Sequence, residues 1–276
     1  MQVLGIDFTS APRRAKPITV TAATLDGDRL RVDGHDRLPD FAAFEAVLAA
    51  PGPWVAGLDF PFSFARSFLE TIGWPTEWAD LADYLSSIGK RAYLDAQTEF
   101  RQSQPGGRKH LPRALDRLTG GAAPNNVVNP PVGRMLYEGV PRLRASGASV
   151  PGLHAGDPER KLVEAYPAVA AKHLIGTTAY KDGPSADQDR RRGLRRDLLS
   201  ALAAPNRFAV IVDAPENLAD DPSGDDIDAL LCAVQAAWAV RAGFVDDGPS
   251  GRFDPAEGWI ADPDAFDPPL GRAAPD

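Results

Sequence analysis

Apolar and polar positions along the chain fall into segments of different length and period. Met1–Phe8 and Trp54–Phe60 are short, nearly continuous apolar runs, the pattern of strands buried on both faces. Ile18–Leu25 alternates as a half-buried strand does. Asp26-Gly27-Asp28 supplies a hairpin turn, and Leu30–Gly34 returns as a third strand. Pro39–Ala50 places Phe41, Phe44, Val47 and Leu48 on one side of a helix, with Asp40 as its N-cap. The opening therefore reads β-β-β-α-β.

The pattern then changes. Residues 61–160 are rich in Pro, Gly, Arg and Asn, with short helical pieces such as Trp78–Ile88. Gly120–Pro131 is a loop carrying Asn125, Asn126 and Asn129. Without a sustained apolar period, 61–160 is expected to be an insertion covering the sheet end within a single domain, 1–276. Leu162–Tyr166 is a fifth strand carrying Glu164, and Pro167 opens a helix to about Leu174. Asp187–Ala203 is a basic helix, Phe208–Asp213 an extended segment and Asp225–Ala242 an apolar helix. The tail, 245–276, is acidic and proline-rich. It is expected to pack loosely except at Trp259-Ile260.

Candidate chemistry starts from a phrase that occurs twice. Gly5-Ile6-Asp7-Phe8 and Gly57-Leu58-Asp59-Phe60 each end an apolar run on a carboxylate. A charge inside a sheet is costly, and the carboxyl ends of strands are where open α/β sheets bind ligands. Asp225 and Asp228, three residues apart, share a helical face. The helix dipole alone accounts for acids at a helix start. It accounts less well for Asp228, whose neighbours Ala229, Leu230 and Cys232 read as buried. If the two strands are adjacent, Asp7, Asp59, Asp225 and Asp228 converge. Hard oxygen ligands select Mg²⁺ or Mn²⁺. Two such ions about 4 Å apart would clamp a transferring phosphoryl group. Without cations, each carboxylate would raise the pKa of the others.

Composition narrows the choices. The net charge of −8 argues against simple electrostatic binding of nucleic acid. The tail contributes −6 of it, however, and Arg101–Arg117 and Arg190–Arg196 are basic stretches that could hold a phosphodiester beside an acidic site. The single cysteine, Cys232, excludes an internal disulfide and a thiolate cluster and fits a reducing, cytoplasmic location. No signal peptide is expected, and no apolar run reaches the ~20 residues of a membrane helix. His110 and His154 have no His-x-x-x-His partner for zinc, and no Walker spacing exists. Trp54, Trp74, Trp78 and Trp238 read as core rather than base-stacking platforms.

The order of elements, with acids ending strands one and four and a D-x-x-D helix near the C-terminus, resembles the ribonuclease H-like fold. Asp225-x-x-Asp228-Ala229 is similar to the RuvC-type resolvase pattern. More closely, the chain resembles the domain of unknown function 429 family, a predicted nuclease group. The matching phrases are Gly5-Ile6-Asp7, Asp59-Phe60-Pro61-Phe62, Val163-Glu164-Ala165-Tyr166-Pro167, Tyr180-Lys181, Asp225-Asp226-Ile227-Asp228-Ala229-Leu230 and Glu257-Gly258-Trp259-Ile260. The resemblance implies a mixed five-stranded sheet, order 3-2-1-4-5, flanked by helices. It implies Asp7, Asp59 and Asp228 as metal ligands with Asp225 as the fourth. Glu164 is then either a further catalytic carboxylate or a strand-end acid paired with an arginine. Lys181 is either a phosphate contact or an exposed loop lysine. Asp59 departs from resolvases, which carry the longer glutamate there. The expected activity is a metal-dependent nuclease or phosphodiester hydrolase acting on DNA or RNA. The alternatives are an inactive binding or regulatory module, or an actin-like phosphotransferase using ATP, for which Thr9 and Ser10 after Asp7 speak.

Overall fold

The computed structural model describes residues 1–106, 109–181, 187–249 and 253–266. Its centre is a mixed sheet of seven strands: β1 (Gln2–Asp7), β2 (Ile18–Asp26), β3 (Arg29–Leu38), β4 (Trp54–Asp59), β5 (Ala148–Ser149), β6 (Asp157–Ala165) and β7 (Ile211–Asp213). The order is β5-β6-β4-β1-β2-β3-β7, which corrects the expected five strands to seven. The five expected strands lie side by side in its interior. β5 and β7 are the additions: β7 lies within the segment Phe208–Asp213 expected to be extended, while β5, two residues long, is too short to show a period in sequence. β2 pairs antiparallel with β1 and β3, while the β1–β4, β4–β6, β5–β6 and β3–β7 pairs are parallel.

Alternation along β1 and β4 sorts their side chains onto two faces. On one face, Leu4, Ile6, Phe8, Trp54, Ala56, Leu58 and Phe60 form a core with α1 (Phe41–Leu48), α2 (Arg66–Ile72), α3 (Trp78–Ile88), α4 (Lys90–Ser103) and α6 (Val132–Ser146). Most of those helices come from 61–160. That segment contributes Phe62, Phe64, Phe68, Trp74, Trp78, Leu85, Tyr93 and Leu136 to the core, so its apolar content is real although aperiodic. Trp54, Trp74, Trp78 and Trp238 are all buried, as expected.

On the other face, Val3 and Val55 meet α7 (Pro167–Ile175), α8 (Gln188–Leu202) and above all α9 (Asp225–Arg241), whose residues from Ile227 to Ala239 are all buried. A helix buried all round needs a close seat, and two glycines provide it. A Cβ on Gly5 would lie 1.9 Å from the Ala229 carbonyl oxygen, and one on Gly57 would lie 2.3 Å from that of Cys232. The helix backbone therefore rests directly on β1 and β4.

The tail corrects the expectation of loose packing. Ile260 bridges to Glu164 of β6, and the Ala261 N–H donates to the Glu164 carbonyl at 2.8 Å. Ala256, Trp259, Ile260, Ala261 and Phe266 are buried. The parts of the tail at 250–252 and 267–276 lie outside the described residues. Among the described residues, no helix is long and apolar enough to cross a membrane.

Candidate metal centre at the sheet end

The parallel register Gly5↔Gly57 and Ile6↔Leu58 sets Asp7 beside Asp59 at the C-terminal ends of β1 and β4. Each aspartate lies two residues beyond its glycine, hence on the same face as α9. That helix starts over the same edge and lowers Asp228, from its first turn and wholly buried, onto the pair. Oxygens of Asp7, Asp59 and Asp228 lie within 4.8 Å of one another. The positive end of α9 favours carboxylates there.

This concentration of acid is electrostatically costly. Burial pushes the Asp7 carboxyl well above the usual range, and Asp228 and Asp59 push it further. Burial raises Asp59 to about 7, opposed by Lys181. Asp228 also rises through burial, tempered by Lys181 and Tyr180. Lys181 donates to one Asp228 oxygen and the Tyr180 hydroxyl to the other. Burial works against the charge on Lys181, but Asp228, Asp7 and Asp59 outweigh it and hold the amine protonated.

Of the expected site residues, Asp7, Asp59 and Asp228 come together. Asp225 stands outside the group, half-buried one turn back, close enough for its charge to act on Asp7 and Asp228. Glu164 is taken by Arg113, whose Nη1 donates to Oε2 at 2.7 Å, and the Phe62 N–H donates to the same oxygen at 2.9 Å. The arginine-paired reading of Glu164 is thus the one its contacts match. Lys181 is no exposed loop lysine, since its ammonium sits on a fully buried carboxylate. A narrow recess with room for about one water molecule lies beside Asp59, lined among others by Phe60, Ala165 and Tyr166.

Sequence reasoning missed Thr19, which pairs across from Asp7 on β2 and so shares its face. Its Oγ1 is buried without a hydrogen-bond partner among the described residues. The Ile18–Leu25 alternation could have placed it there once β2 was set against β1. Tyr180 was visible only as the neighbour of Lys181.

Oxygens on opposite sides of a Mg²⁺ ion are about 4.2 Å apart. The three carboxylates, within 4.8 Å, and the orphaned Thr19 hydroxyl beside them fit such a hard ion.

A second acidic group, His173, Asp262 and Asp264, is already neutralised. His173 Nε2 meets the buried Asp262 at 2.8 Å, and Arg207 Nη2 donates to Asp264 at 2.5 Å. The hydrogen bond to Asp262 raises the His173 pKa above its ordinary 6.5. A group raised on folding stabilises fully below its unfolded pKa and loses that contribution as pH rises through the folded one. Thermal melts should therefore show wild type losing its advantage over His173→Gln as pH is raised from about 6 to about 9. A gap that widens over this range would refute the linkage.

The fold and site define a mixed α/β protein with a buried three-aspartate centre at the end of its sheet. The chain belongs to the family described as Protein of unknown function (DUF429), whose model matches residues 5–250. Comparison with curated proteins and with solved structures gave no match.

Proposed function

We propose that this protein is a divalent-metal-dependent nuclease on a ribonuclease H-like scaffold with a RuvC-like acidic pattern. The convergence of Asp7, Asp59 and Asp228 carries the reading. Buried like charges with no catalytic or binding role would be a poor use of three sheet-end positions. With Mg²⁺ or Mn²⁺ bound, the ion supplies Lewis acidity toward a phosphoryl oxygen and toward water. The overall reaction is hydrolysis: a P–O bond forms from water, the P–O bond to the leaving oxygen breaks, and a phosphate monoester and an alcohol result.

The chain's own residues support that chemistry. Asp7, Asp59 and Asp228 would hold the cation, with Asp225 behind them. Lys181 adds a fixed positive charge beside Asp228. Nucleic acid, DNA or RNA, is the partner with the required repeating phosphodiester. The actin-like alternative needs a phosphate-binding glycine after the aspartate, and Phe8-Thr9 stands there instead. An inactive binding module has one observation in its favour, that Asp228 already holds a cation in Lys181.

Labelled single-stranded, duplex, hybrid and branched substrates incubated in Mg²⁺ and Mn²⁺ test the reading. Cleavage is expected, and Asp7→Asn should slow it at least about a hundredfold, the loss of a few kcal/mol of charge stabilisation. No cleavage of any substrate, or an Asp7→Asn variant as fast as wild type, would refute it. Calorimetry showing no divalent ion bound at millimolar concentration would favour the binding module.

A further inference from the structure

We infer that Lys181 fills the place of a second metal ion, so that the centre takes one divalent cation and a lysine ammonium. The inference rests on the metal-dependent reading and deepens it.

The first argument is the ligand count. At this sheet end, among the described residues, Asp7, Asp59 and Asp228 are the acids whose oxygens lie within 4.8 Å of one another. Asp225 is outside that group, and Glu164 is bound on both oxygens by Arg113. As metal ligands the three carboxylates are deprotonated and carry three negative charges. One ammonium and one divalent ion balance them to zero in the free protein. A second divalent ion would leave two uncompensated positive charges in a buried site, which is strongly unfavourable.

The second argument is that Lys181 is built in rather than draped over the site. Its stem lies against Gly224, the residue before α9, where an added Cβ would come within 2.9 Å of the Lys181 Cβ. Its neighbour Tyr180 is buried, and the Tyr180 hydroxyl donates to the Asp228 oxygen that Lys181 leaves free. The Tyr180 carbonyl accepts from Arg195 Nη1 at 2.9 Å, and Arg195 Nε is fixed on the Ala219 carbonyl at 2.8 Å. Backbone, stem and ammonium are therefore each held, and the charge they deliver bears on all three aspartates.

Metal counting tests this without reference to activity. Metal-free protein is titrated with Mn²⁺ alone, and bound ions are counted per folded chain by the loss of the free-ion paramagnetic resonance signal. Wild type and Lys181→Arg should bind one Mn²⁺ with no spin-coupled pair. Lys181→Met should bind a second, with the coupling of two ions about 4 Å apart. Two coupled ions in wild type would overturn the inference and leave the metal-dependent reading standing. One ion in folded Lys181→Met would overturn the role given to Lys181. No Mn²⁺ bound by folded wild type would overturn both readings. If Lys181→Met does not fold, the wild-type count and coupling still decide.

Discussion

Arg113→Met is expected to destabilise the protein by about 3–5 kcal/mol, the cost of leaving buried charges without their partner. Arg113 is the cation of a buried triad. Its side chain is 1% exposed, that of Asp116 1% and that of Glu164 3%. Its Nε donates to Asp116 Oδ2 at 3.0 Å, Nη1 to Glu164 Oε2 at 2.7 Å and Nη2 to Asp116 Oδ1 at 2.8 Å. Nη1 also donates to the Glu257 carbonyl at 3.0 Å, so the triad ties α5 (Ala114–Thr119), β6 and the tail together. Methionine matches the stem of arginine but satisfies none of these acceptors. Two carboxylates would remain, far from water. A domain is stable by roughly 5–15 kcal/mol, so this one change consumes a large share.

The remaining carboxylates can escape only by protonation. In wild type, burial already raises Glu164 and Arg113 opposes that rise. Without Arg113 the folded-state pKa climbs further above the unfolded one. Stability is then present at low pH and lost as pH rises through that higher value. Urea unfolding should show the Arg113→Met deficit larger at about pH 8 than at about pH 5. Adding Glu164→Gln should recover part of it, as expected for residues that act as a unit. A deficit below about 1 kcal/mol at pH 8 would mean that water reaches the triad.

The strongly periodic segments were legible in the sequence, and the segments whose order comes from tertiary contact were not. β1, β2, β4 and α9 follow from hydrophobic patterning because both the strands and the helix are buried along most of their length. β3 runs to Leu38 rather than Gly34 because its outer half is paired but exposed, so pairing extends it without an apolar signature. α3 is the exception within 61–160, legible at its observed bounds Trp78–Ile88, whereas α2, α4 and α6 bury irregular stripes whose aromatic residues meet only in space. Asp7, Asp59 and Asp228 could be named because an acid inside an apolar run is conspicuous. The pairing of Glu164 with Arg113 spans 51 positions, and nothing local to either residue announces it. The repeated Gly-x-Asp phrase announces its aspartates, yet its glycines decide whether the aspartates meet the helix.

Gly5→Ala is expected to cost about 3 kcal/mol, at the upper end for overpacking, and to weaken Mn²⁺ binding at least about tenfold. The usual sign for glycine to alanine at an accommodating position is a gain of about 0.4–1 kcal/mol, because the unfolded chain loses freedom. Gly34 on β3 is such a position, with nothing within 4 Å of an added Cβ, and Gly34→Ala serves as the control. At Gly5 the new carbon would lie 1.9 Å from the Ala229 carbonyl oxygen and 2.3 Å from the Ala233 nitrogen. Both are backbone atoms, so no rotamer change relieves the clash, and trimming Ala233 to glycine should not rescue the variant. The helix itself must retreat, by more than about 1 Å to restore van der Waals contact. Asp228 precedes Ala229 and retreats with it, away from Asp7 and Asp59. Stability and metal affinity should therefore fall together in Gly5→Ala and, through Cys232, in Gly57→Ala, while Gly34→Ala changes neither adversely. A Gly5→Ala protein that loses stability but keeps its Mn²⁺ affinity would show that the three carboxylates assemble independently of the seat of α9 on the sheet.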